Sequence, residues 1–172
     1  SAPLLADVTD HAFGDAACFP DEYLRDPEAY YFRADRLSEY DIWGNYGMAI
    51  GDVDGDGWED VYSCTAAGMP NRLFLRNPDG TTREAAAEWG VAFLDPTRHA
   101  LIVDLDGDGH RDLASAIGAT VVIAWSDGER FAERTVLASA GTEDVYGLSA
   151  ADPDGDGDLD LFACCYGVGV MR

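Results

Sequence analysis

The segment Asp52-Val-Asp-Gly-Asp-Gly-Trp-Glu-Asp60 decides the fold, and it recurs as Asp104-Leu-Asp-Gly-Asp-Gly-His-Arg-Asp112 and as Asp152-Pro-Asp-Gly-Asp-Gly-Asp-Leu-Asp160. Each copy has aspartate at loop positions 1, 3, 5 and 9, and glycine at positions 4 and 6. The copies begin at residues 52, 104 and 152, so the loop belongs to a structural repeat of about fifty residues. Carboxylates this close together repel one another, which predicts a bound hard cation. Calcium fits best, because it accepts six to eight oxygen ligands in flexible geometry.

The loop pattern predicts the ligands of three calcium ions. Side chains at positions 1, 3, 5 and 9 each offer an oxygen, the backbone carbonyl at position 7 offers another, and water completes the sphere. Glycines at positions 4 and 6 permit the positive φ angles of so tight a wrap. The predicted ligands are Asp52, Asp54, Asp56, Trp58 and Asp60; Asp104, Asp106, Asp108, His110 and Asp112; and Asp152, Asp154, Asp156, Asp158 and Asp160.

Two competing metal sites fit the loops less well. An EF-hand requires a bidentate glutamate at position 12 and a helix on each side. Position 12 is Ser63, Ser115 or Ala163 here, and the flanking segments have the pattern of strands. Magnesium prefers ideal octahedral sites that retain several waters. The sequence therefore favours calcium over magnesium and excludes an EF-hand.

Short apolar segments flank every loop and predict that the loop is the turn of a β-hairpin. A second hairpin follows in the first two repeats, where Asp79-Gly80 and Asp127-Gly128 stand between strand-like segments. Each full repeat thus contains four strands, which is the content of one propeller blade. The predicted fold class is all-β, with blades of four antiparallel strands and calcium-binding hairpin loops.

The repeats divide the chain into two full blades and two partial ones. The full blades are predicted over 46–95, with loop 52–60, and over 96–140, with loop 104–112. A partial blade is predicted over 141–172, with loop 152–160, and residues 1–9 resemble the last strand of a preceding blade. A propeller needs about four blades to close. We therefore expect the chain to be part of a larger propeller, with completion by other chains as the alternative.

Residues 10–45 do not fit the repeat and are predicted to be an insertion. Asp26-Pro27-Glu28 is a typical helix start, because aspartate caps the helix, proline suits its first turn and glutamate complements its dipole. A helix is predicted over 27–40. This helix either packs on its own propeller or forms an insertion that binds a partner.

These motifs resemble the FG-GAP/VCBS repeat family, known from integrin α-subunit propellers and many secreted bacterial proteins. The resemblance covers about 43–172 and includes Trp43-Gly-Asn-Tyr-Gly-Met-Ala-Ile-Gly51 before the first loop and Pro70-Asn-Arg-Leu-Phe-Leu-Arg-Asn77 after it. It implies a β-propeller, usually of seven blades, with calcium in loops on one face. By motif position, the family's ligands correspond to the aspartates at positions 1, 3, 5 and 9 of the three loops.

The composition limits the partners and suggests a compartment. The formal net charge is −22, which disfavours nucleic acid and anionic membrane surfaces as partners. No apolar segment is long enough to span a membrane as a helix. Calcium sites of about 10⁻⁴ M affinity fill at extracellular calcium levels but not in cytosol. An exported protein, extracellular or periplasmic, is therefore expected.

The four cysteines are Cys18, Cys64, Cys164 and Cys165, and their spacing matches no zinc motif. Cys64 and Cys164 both lie twelve residues after their loop's first aspartate, so they occupy equivalent places in two repeats. They are interpreted as buried small apolar residues. A disulfide from Cys18 is the alternative.

Two classes of function follow from the sequence. His11, His99 and His110 are scattered, and no nucleophile triad, phosphate-binding glycine loop or zinc motif is present. A non-catalytic, calcium-stabilised interaction module or accessory subunit that binds protein or glycan is therefore favoured. The alternative is part of a calcium-dependent carbohydrate-active enzyme. In that case Trp43, Trp89 and Trp125 would stack on sugars instead of filling the blade core.

Overall fold

The computed structural model describes residues 6–14, 16, 18, 47–66, 68–138 and 144–166, which form ten strands and one short helix. The first sheet contains β1 (Met48–Gly51), β2 (Asp60–Ser63), β3 (Arg72–Arg76) and β4 (Thr82–Glu84). The second contains β5 (Thr97–Val103), β6 (Asp112–Ile117), β7 (Thr120–Ser126) and β8 (Phe131–Ala138). The third contains β9 (Asp144–Ala151) and β10 (Asp160–Tyr166).

Every sheet is antiparallel, and each strand pairs with its neighbour in sequence. The acidic loop is the turn of the first hairpin in all three sheets. Its ends pair directly, as Gly51 with Asp60, Val103 with Asp112 and Ala151 with Asp160. The predicted all-β fold, the hairpin loops and the four strands of each full repeat are therefore confirmed.

The outer hairpins form where Asp-Gly predicts them. β3 and β4 enclose Asp79-Gly80, and β7 and β8 enclose Asp127-Gly128. Both glycines have positive φ, 87° and 84°, a conformation that side chains disfavour. Asn77 N–H donates to Thr81 carbonyl oxygen at 2.8 Å and closes the first of these turns.

The sheets stack one behind another, with β1 against β5 and β5 against β9. We call the face toward the next sheet in chain order the front face, and the opposite one the back face. One apolar core lies between the front face of the first sheet and the back face of the second sheet. It includes Ala49, Tyr62, Cys64, Ala100 and Leu113. The next core joins the second and third sheets, and includes Ala114, Ala116, Ile123, Val145 and Leu148. The sheets are thus propeller-like blades, and those in the described residues do not close into a ring.

Glycines let the first two blades approach closely. A Cβ atom at Gly51 would lie 2.4 Å from Ile102 Cγ2, and one at Gly47 would lie 2.5 Å from the Arg98 carbonyl oxygen. Real Cβ atoms do not tolerate such separations, so larger residues would push β1 away from β5. The two glycines therefore set the spacing between these blades.

A buried hydrogen-bond network also joins the first two blades. The Asn71 amide donates to Tyr62 Oη at 2.9 Å and to Thr97 Oγ1 at 2.7 Å, while its oxygen accepts from Thr65 N–H at 2.8 Å. Tyr62 Oη donates in turn to the Val91 carbonyl oxygen at 2.8 Å. Because all these groups are buried, each hydrogen bond avoids a desolvation cost.

Helix α1 (Thr9–Phe13) packs on the outer hairpin of the first blade. The Phe13 and Phe74 rings meet edge to face at 5.1 Å, and Thr82 Oγ1 donates to the Ala12 carbonyl oxygen at 2.7 Å. This corrects the strand predicted over 1–9 for its described part, since residues 6–8 are irregular and Thr9 starts the helix. The Asp7 carboxylate accepts from Thr9 N–H at 3.0 Å and turns the chain there. The helix predicted over 27–40 lies outside the described residues, as does most of the insertion 10–45.

The equivalent cysteines differ in burial. Cys64 lies in the first core, as predicted, whereas Cys164 and Cys165 are exposed on β10. The difference follows from the stacking, because the second blade covers Cys64 and the described residues contain no fourth blade to cover Cys164. No helix in the described part of the chain is both long and apolar enough to cross a membrane.

Gly47 and Gly147 occupy the same repeat position and provide a matched test of blade spacing. A Cβ at Gly147 would meet nothing nearer than Cys164 Cβ at 3.7 Å, an ordinary contact. We expect Gly47→Ala to lower the free energy of unfolding by about 1–3 kcal/mol. Gly147→Ala should stay within about 0.5 kcal/mol. Urea unfolding in dilute solution measures both, and equal effects would contradict the proposed role of Gly47.

Candidate metal centre

Each loop gathers three carboxylates at one point. The clusters are Asp52, Asp54 and Asp60; Asp104, Asp106 and Asp108; and Asp152, Asp154 and Asp156. Within each cluster, one oxygen from every residue lies within 4.8 Å of the others. Positions 1 and 3 are common to all three clusters. The third member is position 9 in the first loop and position 5 in the other two.

The position 1 carboxylate is held by the glycines of its own loop. Asp104 Oδ1 accepts from Gly107 N–H at 2.8 Å, and Asp104 Oδ2 accepts from Gly109 N–H at 3.0 Å. Asp152 makes the same pair of bonds in the third loop, and Asp52 Oδ2 accepts from the equivalent glycine in the first. These glycines have φ between 73° and 100°, so their N–H groups can point back to the start of the loop.

Positions 3 and 5 each accept a hydrogen bond from the N–H two residues later. Asp106 Oδ1 accepts from Asp108 N–H at 3.1 Å, and Asp108 Oδ1 accepts from His110 N–H at 2.8 Å. The first and third loops repeat both bonds. Such turns fix one oxygen of each carboxylate. The second oxygen of the same group can then face a cation.

The position 9 carboxylate ties the loop to the third strand. Asp60 Oδ2 accepts from Val53 N–H at 2.9 Å, and its Oδ1 accepts from Arg76 N–H at 2.8 Å. Asp112 makes equivalent bonds to Leu105 and Ser126. Burial raises the pKa of Asp60 to about 6 and also raises that of Asp112. A cation beside Asp60 would favour its charged form.

Asp160 has different surroundings from its counterparts. It is exposed, whereas Asp60 and Asp112 are buried, and its sheet has only β9 and β10 among the described residues. The third-strand N–H that bonds position 9 in the first two blades therefore has no counterpart in the described part of the third.

Position 7 residues contact the outer hairpins through their side chains. The Arg76 guanidinium lies 4.5 Å above the Trp58 ring, and a Cβ at Gly128 would lie 2.6 Å from the His110 ring. Asp158 is exposed in the third loop. Cation binding by the backbone carbonyls of these three residues stays a prediction.

The first loop fits a cation in a further respect. Oδ1 of Asp52 is buried and has no hydrogen-bond partner in the described structure, an arrangement that is costly for a charged oxygen. Burial raises the pKa of Asp54, and the charges of Asp56 and Asp52 contribute to the rise. A cation among these oxygens would supply the missing partner and offset the repulsion. All donors are oxygens, which suits a hard ion.

The aromatic residues predicted to stack on sugars do not form an exposed platform in the described structure. Trp89 is buried in the first core, where its ring meets Phe131 at 5.5 Å. Trp125 is half-buried, and its Nε1 donates to Thr135 Oγ1 at 2.9 Å. Trp43 lies outside the described residues. The core interpretation is therefore correct for Trp89.

A comparison of the sequence with known protein families agrees with the fold and with the acidic loops. The FG-GAP-like repeat matches residues 52–115 and again residues 104–163, which together exceed half of the chain. The chain therefore belongs to the FG-GAP-like repeat family, as the sequence motifs predict. Each match spans two successive acidic loops and the strands that lie between them in the sequence. A comparison with curated proteins found no match.

The structural role of the position 9 carboxylate can be tested in the absence of metal. In chelator, Asp60→Ala should lower the free energy of unfolding by about 2 kcal/mol or more, because the N–H groups of Val53 and Arg76 lose their buried acceptor. Asp160→Ala is the matched control and should change it by less than about 0.5 kcal/mol. Urea unfolding with chelator present measures both. Equal losses would show that position 9 has no role in binding the third strand.

Proposed function

We propose that the chain is a non-catalytic, calcium-stabilised repeat module that binds a protein or glycan outside the cytoplasm. The observation that carries the proposal is the convergence of three carboxylates in every acidic loop, with the buried Asp52 Oδ1 left without a hydrogen bond. A cluster of three carboxylates that includes loop positions 1 and 3 recurs in all three blades, which supports a role in building the repeat. A reaction centre would not need to recur in this way.

Calcium suits the loops better than magnesium does. Only one oxygen of each position 3 and position 5 carboxylate is held by a backbone turn, as in Asp106 and Asp108, so the other can adjust to an ion. Calcium tolerates irregular spheres of carboxylate, carbonyl and water oxygens, whereas magnesium demands near-ideal octahedral geometry. The three loops would thus hold three calcium ions.

Binding in the first loop would act on three strands of its blade. The loop joins β1 to β2, and Asp60 bonds to Arg76 at the end of β3. Trp58 packs under the same Arg76. Because the unfolded chain has no preformed site, the free energy of calcium binding becomes folding free energy. In the absence of calcium, the repulsion among the carboxylates would loosen this end of the blade.

The proposed binding role rests on family membership and on charge. FG-GAP-like repeats are common in proteins that bind other proteins, and a rigid scaffold with exposed loops suits that task. The net charge of −22 argues against nucleic acid as the partner. Sites of about 10⁻⁴ M affinity fill only where calcium is plentiful, so we place the module in an extracellular or periplasmic setting.

Loop-by-loop removal tests the calcium assignment. We expect the wild-type chain to bind three calcium ions in isothermal titration calorimetry, and Asp54→Ala, Asp106→Ala and Asp154→Ala each to remove one. Calcium should also raise the midpoint of thermal unfolding, with a smaller rise in each variant. Asp95→Ala, an exposed charge outside the loops, is the control. Unchanged stoichiometry in the triple variant would refute the assignment.

Terbium luminescence tests the first loop separately, because terbium replaces calcium and is sensitised by a nearby indole. Trp58 is the loop tryptophan, so Trp58→Phe and Asp54→Ala should each remove the same part of the sensitised emission. The double variant should lose no more than either single one. An emission component that is lost in Asp54→Ala and retained in Trp58→Phe would contradict this placement of the ion.

A further inference from the structure

The residue at loop position 7 links the acidic loop to the outer hairpin in the first two blades. Its backbone carbonyl is a predicted calcium ligand. Its N–H holds the position 5 carboxylate, with 2.8 Å bonds from Trp58 to Asp56 Oδ1 and from His110 to Asp108 Oδ1. Its side chain contacts the outer hairpin. A contact that fixes this side chain therefore also fixes two groups of the proposed calcium site.

In the first blade the contact is made by Arg76, the last residue of β3. The Arg76 guanidinium lies 4.5 Å above the Trp58 ring, and the Arg76 N–H donates to Asp60 Oδ1 at 2.8 Å. Arg76 thus holds position 7 through its side chain and position 9 through its backbone. Because the face of an indole ring attracts a cation, the contact orients the Trp58 side chain.

In the second blade the place of Arg76 is taken by Ser126, whose N–H donates to Asp112 Oδ1 at 2.9 Å. Serine has no long side chain to lie over the position 7 ring. Its Oγ instead accepts from Gly128 N–H at 3.1 Å, and Gly128 lies against the His110 ring. A Cβ at Gly128 would lie 2.6 Å from Nδ1 and Cε1 of that ring. The absence of a side chain therefore lets this turn pack on the loop.

Gly80, the glycine of the first outer hairpin, has a different neighbour. Its φ is 87°, close to the 84° of Gly128. A Cβ at Gly80 would lie 3.2 Å from His11 Nε2 of α1, and no atom of Trp58 would come within 4 Å of it. The two glycines thus share a backbone conformation but differ in whether they contact a loop.

We propose that the outer hairpins set the calcium affinity of the loops they contact, with Arg76 and Gly128 as positioning residues for Trp58 and His110. This inference rests on the proposed calcium binding. Ligands that are already held in place lose less conformational freedom when an ion binds, so a site supported from outside the loop binds more tightly. The affinities of the first two loops then depend on residues that donate no ligand to the ion.

Calcium titration of the isotope-labelled chain, followed by two-dimensional NMR, tests each loop separately. The amide signals of Gly57, Gly109 and Gly157 are the reporters, because each N–H donates to the position 1 carboxylate of its own loop. In the wild-type chain each signal should shift and saturate. No saturable shift at any of the three would overturn calcium binding and this inference with it. Normal saturation with unchanged affinities in the variants would overturn the inference alone.

Gly128→Ala is the test in the second blade. We expect it to weaken calcium binding at Gly109 about tenfold, because the added methyl group pushes His110 away, and to leave the other two loops unchanged. Gly80→Ala is the matched control, since it adds the same backbone strain to an outer hairpin without contacting a loop, and it should change no affinity. Equal losses at Gly109 in both variants, or no loss in Gly128→Ala, would overturn the role of Gly128.

His110→Ala separates the contact from the backbone strain at residue 128. The truncation keeps the His110 backbone groups and changes an exposed side chain, so it does not depend on how well Gly128→Ala folds. It should weaken calcium binding at Gly109 by about threefold, because the loop loses its outside support. Addition of Gly128→Ala should then cause little further loss, because the methyl group meets no ring. Losses that multiply would show that Gly128 acts through strain alone and would refute the contact.

Arg76→Ala tests the first blade, where charge and positioning have opposite effects. The variant keeps the Arg76 N–H and with it the hydrogen bond to Asp60. Loss of a positive charge near the loop would by itself strengthen calcium binding. Weaker binding at Gly57, by about threefold, would therefore identify lost positioning of Trp58. An affinity at Gly57 that stays the same or rises would contradict the role of Arg76.

Discussion

The architecture depends on a buried carboxylate at the end of each acidic loop in the first two blades. Asp60 accepts one hydrogen bond from its own loop and another from the end of β3, and Asp112 does the same with β7. Each joins residues that are distant in sequence and would otherwise bury unpaired N–H groups. The turn, the inner hairpin and the third strand are thereby held at one point.

A charged group in this position is stable only with compensation. Burial raises the pKa of Asp60 to about 6, so its charged form is disfavoured relative to an exposed aspartate. The two backbone hydrogen bonds offset part of that cost, and a cation among the loop carboxylates would offset more. The same residue therefore links the proposed calcium site to the packing of the blade.

The local features of the fold could be predicted from the sequence, because short-range patterns determine them. The acidic loops, the Asp-Gly turns and the four strands of each full repeat all follow from residues within about ten positions of one another. Features that depend on distant residues could not. The contact of Asp60 with β3, the packing of Phe13 on Phe74 and the exposure of Cys164 follow from stacking. The periodicity of apolar residues in the sequence predicts the strands but not how the sheets stack on one another. The positions of the loop aspartates were predictable, but which of them converge was not.

Large and small residues alternate at the contacts between blades, and this alternation limits how the order of the blades can change in evolution. Gly51 faces Ile102, whereas in the next blade the position of Gly51 is taken by Val103 and that of Ile102 by Ala150. Each blade is thus fitted to its own neighbour, although all share one loop. Exchange of the order of two blades would place Ile102 against a bulky strand and leave a void elsewhere. Gene duplication that copies adjacent blades as a unit preserves these fits, whereas shuffling of single blades breaks them.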